Sequence, residues 1–448
     1  NITNKIKIIM KKTKSYQSSF ISVTILFFLW GFITVLVDSL VPRLKDVFEM
    51  SYAKTVLVQF AFFTAFFVVS LPAGAILTKI GYKKGIVLGL IIMALGCLLF
   101  YPAAEYRNFN VFLIGYFTLA SGITVLQVAA NPFVAVLGSE DGASSRLNLS
   151  QAFNSLGTAI APAVGALFIL SDAIKTKGEI ASLSETAKET YLASEASAVQ
   201  KPFLGLAVFI IAIAVIFLFA KLPKLISEEA TGTYSDAFKQ RNLMLGVLGI
   251  FFYVGAEVSI GSFLVNYFQE MNMVPLIQES NTLMSIADTV ANLFFKSLDG
   301  ADDKALLGIF VIFYWSGAMI GRFIGSYLTK IMNPGEVLSI FASIAILLIL
   351  ISISTTGLIS MWSILAVGLF NSIMFPTIFT LAIDGIGELK PKGSGLLCMA
   401  IVGGAIIPLI CGNLIDSIGF KLAFLFVTIC YGYIFYYGFK NSRKQSIS

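Results

Sequence analysis

Apolar residues in this chain come in long unbroken runs, not in the stripe of an amphipathic surface helix or the alternation of a half-buried strand. A helix that crosses a bilayer needs about 20 predominantly apolar residues. Twelve runs reach that length: near 20–45, 54–80, 84–102, 111–137, 147–170 and 202–221, then near 243–269, 305–331, 336–355, 360–383, 395–415 and 421–440. Lipid offers a bare backbone no hydrogen bonds, so each run is predicted to be α-helical. Residues 171–201 are polar and helix-prone, and residues 270–304 are mixed and end in Asp299, Asp302, Asp303 and Lys304. A third polar stretch, 222–242, parts the runs into two groups of six. The predicted organisation is an N-terminal segment 1–19, a six-helix half over 20–221, a linker 222–242, a second half over 243–440 and a tail 441–448. Met10-Lys11-Lys12 resembles a natural start, so residues 1–9 read as an upstream addition. The first run is too long for a cleavable signal and lacks a clear cleavage site.

Composition supports the membrane reading. Of 448 residues, 57% are hydrophobic and 12% are charged, about half the charged share of a soluble domain. The 40 Phe and 37 Gly fit lipid contact and close helix approach. There is no histidine, so a histidine metal site or proton relay is excluded and any proton chemistry falls to carboxylates. Cys97, Cys398, Cys411 and Cys430 all sit in apolar runs without CxxC spacing and read as small buried residues. No cofactor or metal is expected. The net charge is +6, but the basic residues are scattered at helix ends, so no nucleic-acid partner is expected. With both termini placed in the cytoplasm, the cytoplasmic segments carry nearly twice the Lys and Arg of the outer ones. That bias orients a multi-pass protein of the inner (plasma) membrane with both termini inside.

The two groups of runs repeat one another. Gly74-Ala-Ile-Leu-Thr-Lys-Ile closes the second run and Gly325-Ser-Tyr-Leu-Thr-Lys-Ile closes the eighth. Phe27-Phe28 and Gly31 recur as Phe251-Phe252 and Gly255, Pro132 as Pro376, and Gly157 and Pro162 as Gly403 and Pro408. Two parallel six-helix halves are thereby predicted.

Ionisable residues inside lipid are functional candidates by default. Asp38 in the first run, Glu257 in the seventh and Arg322 in the eighth stand out; Asp384, Lys392 and Arg146 sit near run ends, where snorkelling is cheap. Asp38 shares a helical face with Thr34 and Gly31, a carboxylate beside a hydroxyl and a small residue. The bland alternative is a helix-end acid capped by Arg43 or Lys45. Gly255, Ser259, Ser262, Asn266 and Gln269 form a polar stripe on the seventh run that should face a cavity. Glu257 points roughly opposite. Either it pairs with a neighbouring helix, or the run is broken near Gly261. Gln127 and Asn131 are neighbours one turn apart, and Asn148, Gln151, Asn154 and Thr158 follow on the fifth run, with Asn371 on the tenth. Uncharged amides suit a neutral, polyhydroxylated ligand, although amides also serve as glue between helices. Phe28, Trp30, Phe153 and Phe375 offer faces for stacking on a ring. Gly317, Gly321 and Gly325 read as a close-packing ladder.

At these residues the chain resembles the fucose–proton and glucose/galactose symporter branch of the major facilitator superfamily. The resemblance covers nearly the whole chain and rests on specific segments. These are Phe27-Phe28-Leu29-Trp30-Gly31 leading to Asp38, Val58-Gln59-Phe60-Ala61-Phe62-Phe63, Ser70-Leu71-Pro72-Ala73-Gly74, Ala129-Ala130-Asn131-Pro132-Phe133, Ser145-Arg146-Leu147-Asn148-Leu149 and Gln151-Ala152-Phe153-Asn154. The segment from Glu257 to Phe268 looks more like the glucose/galactose members. The loop bearing Lys79, Gly81-Tyr82-Lys83-Lys84 resembles the superfamily's signature between its second and third helices, with Thr78 where an acid is usual, and Thr329 in the repeat.

The resemblance implies an all-α membrane protein with the major facilitator fold, twelve transmembrane helices in two pseudo-symmetric six-helix halves, working by alternating access. It implies that Asp38 matches an acid important in the fucose carrier, whose proton-relaying glutamate corresponds to Gln127 here. Coupling is then expected at Asp38 or Glu257, or through Na⁺. Sugar is expected at Asp38, Gln127, Asn131, Gln151, Asn154, Ser262, Asn266 and Asn371, and gating at Gly74, Lys79, Gly81, Lys83, Arg322 and Gly325. The expected function is import of a hexose-type sugar by proton symport, as a monomer in the lipid bilayer. Fucose, N-acetylglucosamine and Na⁺-coupled variants stand as alternatives, and behind them a multidrug exporter or a sugar sensor. An intramembrane enzyme is disfavoured, because no nucleophile–base pair or metal-ligand spacing is present.

Overall fold

A backbone in hydrocarbon must satisfy its N–H and C=O groups within its own segment, and the computed structural model shows helices in every described span. Residues 2–38, 52–168, 182–223, 232–293, 298 and 302–445 are described. The first half comprises α1 (Ile2–Asp38), α2 (Tyr52–Glu105), α3 (Phe109–Val136), α4 (Ala143–Phe168) and α5 (Glu185–Phe219). A short linker helix, α6 (Tyr234–Phe238), leads into α7 (Arg241–Glu270). After the small α8 (Met273–Gln278) and α9 (Asn281–Leu293) come α10 (Asp303–Ile331), α11 (Pro334–Ser354), α12 (Gly357–Asn371), α13 (Met374–Ile383), α14 (Lys390–Met399), α15 (Gly403–Ile418) and α16 (Phe420–Gln445).

Among the described residues, 10 stretches are long and apolar enough to span a membrane. The count reaches twelve once two details are added. The stretch Leu57–Glu105 is two spans in one, because α2 turns at Gly81 (φ 78, ψ 166). The amide- and serine-rich α4 is long enough to cross but is not among the apolar stretches. Gly419, between α15 and α16, repeats the Gly81 geometry (φ 81, ψ 167). That backbone region is essentially closed to side chains, so glycine is required at both turns.

The repeated landmarks prove to be helix crossings. A Cβ on Gly157 of α4 would strike the Phe28 carbonyl of α1, and one on Gly403 of α15 would strike the Phe251 carbonyl of α7. Gly31 lies against Asn154, and Gly255 against Ile407. The same crossing is thus built once in each half. The ladder on α10 packs as expected, Gly317 and Gly321 against Leu369 of α12 and Gly325 against Ile373.

Loop contacts define two ends. The near end gathers the Gly81 turn, the linker helix, the segment before Lys390 and the end of α16. There Lys390 lies 3.6 Å from Glu140, and Gln240, Arg241, Asn242, Asp384, Gly385 and Asn441 line one shallow pocket. The far end carries α8, α9 and Gly419. On that side α5 continues about four turns beyond its apolar stretch Gln200–Phe219. This extension is N-capped by Ser184 and tied down by Arg107–Glu189 (3.3 Å) and by Gln200 donating to Glu105 (2.7 Å).

The two matching turns generate a prediction. Gly81→Ala and Gly419→Ala are each expected to cost about 1–3 kcal/mol, read as a lower midpoint in thermal unfolding of the purified protein in detergent. Gly205→Ala is the control, since nothing stands within 4 Å of its Cβ position.

Candidate functional site

Hydrogen bonds between the halves lie in the near-end part of the bundle. The Ser144 and Thr380 hydroxyls are 2.6 Å apart, Ser145 donates to the Ser326 carbonyl (2.7 Å), and Ser326 returns a bond to the Ser145 carbonyl (3.0 Å). Asn148 donates to Thr377 (3.2 Å). Two further contacts involve carbonyls released by proline. Pro132 has no N–H, so the Val128 carbonyl four residues earlier loses its helical partner; Ser394 of the other half donates to it (2.8 Å). Pro376 likewise frees the Ser372 carbonyl, and Arg322 Nε takes it (3.1 Å). The Arg322 Nη1 then reaches Ser155 of α4, so one guanidinium ties both halves together. These contacts hold the two halves together at the near end.

The gating residues expected from sequence fall along this seam to different degrees. Gly74 sits where α2 crosses α14, against the Pro391 carbonyl and Gly395. Gly325 occupies the corresponding place on α10, with Asn148 close by. Lys79 is exposed and Lys83 half-buried at the Gly81 turn. Thr78 and Thr329 spend their hydroxyls on their own helices, on the Ala75 and Gly325 carbonyls (both 2.7 Å). Arg146 caps the end of α3 by donating to the Ala135 and Ser139 carbonyls (2.6 and 2.8 Å).

α7 is continuous from Arg241 to Glu270, so it has no break at Gly261. Its one side packs on α15 through Gly255 and on α10 through Gly261 and Trp315. The stripe between these packed faces is left uncovered. Ser262 and Asn266 are exposed on that stripe, whereas Ser259 is buried and bonded to the Gly255 carbonyl (2.7 Å).

Glu257 faces the other way, into the second half. A buried oxygen of its carboxylate and the buried Tyr253 hydroxyl one turn earlier lie next to each other. Tyr314 donates to the Glu257 carbonyl (3.3 Å). Asn371 joins the cluster by donating to the Tyr314 hydroxyl (2.5 Å) and accepting from the Tyr431 hydroxyl (2.6 Å). Arg322 lies within electrostatic reach of Glu257. Glu257, Tyr253, Tyr314 and Tyr431 sit near the middle of their helices, and Asn371 at the end of α12.

In the first half, Gln151 donates to Asn131 (3.3 Å), and both are buried. The Asn131 amide nitrogen keeps a free donor. Gln127 is half-buried one turn farther from the near end. Asn154 donates to the Phe27 carbonyl (2.9 Å), filling the space left by Gly31. Of the ring-bearing candidates, Phe153 packs edge-on against Phe323 of the other half (5.9 Å between centroids), Trp30 packs on Phe27 (5.0 Å), and Phe375 is buried against Phe379. The Asp38 side chain lies outside the described residues, as do Arg43 and Lys45; only the α1 backbone up to Asp38 is described.

The structure therefore brings Gln127, Asn131, Gln151 and Asn154 together in one half, and Glu257 with Asn371 in the other. Sequence reasoning missed Tyr253, Tyr314 and Tyr431, which surround Glu257, and Ser155 and Ser372, which hold Arg322. Tyr253 at one turn before Glu257, and Ser372 four residues before Pro376, were the available signals.

The chain belongs to the Major Facilitator Superfamily, whose family model matches residues 18–401. It is 48% identical over 434 residues to a glucose/galactose transporter of Brucella abortus biovar 1 (strain 9-941), covering 96% of both chains. It is 33% identical over 445 residues to the L-fucose-proton symporter of Escherichia coli K12, covering 97% of this chain and 95% of that one. Among solved structures it resembles a Major Facilitator Superfamily transporter, FucP, in the outward conformation, with TM-score 0.84 and 32% identity over 96% of this chain and 99% of that one. The fold expected from the sequence, two pseudo-symmetric halves of membrane helices, is the fold found.

Two outcomes follow from this geometry. Asn371→Leu strands the Tyr431 hydroxyl in the interior, while Tyr314 keeps its bond to the Glu257 carbonyl, and is expected to cost about 1–3 kcal/mol, measured as a lower unfolding midpoint in detergent. Pro132→Ala returns an N–H to the Val128 carbonyl. The carbonyl then competes poorly for Ser394, and the near end is expected to open more often, read as faster proteolysis at near-end loops with the unfolding midpoint unchanged or raised.

Proposed function

We propose that this chain is a secondary active transporter that imports a hexose-type sugar, glucose, galactose or a related monosaccharide, by proton symport with alternating access. The observation that carries this reading is the 48% identity with a glucose/galactose transporter across 96% of both chains. The identity with the L-fucose-proton symporter supports the proton as the coupling ion. A cleft flanked by amides and hydroxyls, Gln127, Asn131 and Gln151 on one side and Ser262 and Asn266 on the other, suits a neutral polyol that needs many hydrogen bonds and no counter-ion. Asn154 and Asn371 take a supporting part, since their amide nitrogens already serve neighbouring helices.

The near end faces the cytoplasm together with both termini, and the chain works as a monomer in the inner membrane. The described state is then outward-open. Asp38 and Glu257 carry the coupling. An ionised carboxylate in a low-dielectric interior costs far more than its neutral form, so protonation and sugar together favour the turn to the inward-open state. Glu257 acts from inside the second half, next to Arg322, whose bond to Ser155 of the first half holds the cleft shut.

Uptake of radiolabelled hexose into proteoliposomes, with and without an inward proton gradient, tests the reading. Wild type is expected to accumulate sugar only with the gradient. Asp38→Asn and Glu257→Gln are expected to lose at least about 10-fold of that accumulation, equal to some 1.4 kcal/mol, while keeping counterflow exchange. Accumulation driven by a Na⁺ gradient instead would replace the proton; no uptake of any hexose would remove sugar as the substrate.

A further inference from the structure

The second part of the linker between the halves carries a capped helical turn. The Thr233 hydroxyl accepts from the Asp236 N–H (3.3 Å) while the Asp236 carboxylate accepts from the Thr233 N–H and hydroxyl (3.0 and 2.6 Å), a closed capping box at the start of α6. The bonds from the Thr233 hydroxyl and N–H hold the Asp236 carboxyl below the usual carboxylate range, so it stays an acceptor near neutrality. Gly232 just ahead lies against Leu389, before α14. The box aims the next side chain, Tyr234, at the crossing of α2 and α14. Its hydroxyl donates to the Leu71 carbonyl and faces the Ala75 N–H of α2. The same oxygen stands 2.6 Å from the Cβ position of Gly74 in the first half and 3.0 Å from that of Gly395 in the second. Pro72, adjacent to Leu71, already loosens α2 at this level by withdrawing an N–H. Burial raises the Tyr234 phenol above its ordinary range, which keeps it a donor.

We propose that Tyr234 is a strap across the near end. The linker places one phenol where helices of both halves cross, bonded to the Leu71 carbonyl of the first half and packed beside Gly395 of the second. When the halves part at this end, the linker must pull Tyr234 out or follow one half. Tyr234 therefore positions the closed near end and sets how often it opens, without touching the transported ligand. The proposal rests on alternation of the cleft and is independent of which sugar or ion is carried.

The chain contains its own reporter. Cys398 is fully buried one turn beyond Gly395, beside Asn131 of the first half and Ser394. Opening of the near end uncovers it, whereas Cys97, Cys411 and Cys430 are buried in other places. The experiment is maleimide labelling of the full-length protein in detergent without substrate, with each cysteine read by mass spectrometry. Removing one hydrogen bond shifts an equilibrium roughly 2- to 10-fold. Tyr234→Phe is expected to raise the Cys398 labelling rate by that factor, with the other three cysteines unchanged. Thr233→Ala, which loosens the capping box away from the crossing, is expected to give a smaller rise of the same pattern. Cys398 labelling in Tyr234→Phe equal to wild type, or a joint rise at all four cysteines, would overturn the strap.

Discussion

A proline within a membrane helix withdraws one N–H, and the carbonyl four residues earlier is left where no water can reach it. This chain places such prolines in corresponding positions of its halves, and the freed carbonyls organise the seam between them. The Val128 carbonyl is answered by Ser394 from the opposite half and the Ser372 carbonyl by Arg322, which also holds Ser155. A stranded carbonyl would cost about 1–3 kcal/mol. The seam is therefore satisfied when the near end is shut, and when it opens the Val128 carbonyl must be given to water entering the cleft. The surrounding Ser144–Thr380, Ser145–Ser326 and Asn148–Thr377 contacts are neutral and individually modest. Such a set can be exchanged for water without a large barrier.

The fold was legible because its constraints are written in residue types that tolerate no substitute. Run length gave the spans, and the Phe–Gly and Gly–Pro landmarks gave the repeat. The structure explains why those landmarks survive in both halves: Gly157 and Gly403 let a helix pass directly over the carbonyls of Phe28 and Phe251.

The site was only partly legible, for a physical reason. Sequence shows that a buried amide needs a partner; it does not show whether the partner is protein or ligand. Asn154 and Asn371 illustrate the first outcome, with nitrogens bound to Phe27 and Tyr314. Asn131, with a free amide donor, retains capacity for more. The helical wheel for α7 holds in part: Ser262 and Asn266 are exposed, but Gly255 and Ser259 of the same stripe are buried, Gly255 against Ile407. What the wheel lacked was the neighbourhood. Tyrosines at 314 and 431 lie in apolar runs, where an aromatic reads as packing, and only the tertiary arrangement turns their hydroxyls toward Asn371 and Glu257.

The long α5 carries a consequence of its own. Thirty-five residues at about 1.5 Å each give a rod of about 52 Å, against about 30 Å of hydrocarbon. The surplus stands clear of the lipid as a mast, stitched to the first half at Glu105 and Arg107. Because it is one uninterrupted helix with the sixth span, its tip swings through a wider arc than any group in the cleft when the halves tilt. A fluorophore or antibody fragment fixed to that mast would act as a lever-arm gauge, turning small movements in the protein's interior into displacements visible outside the membrane.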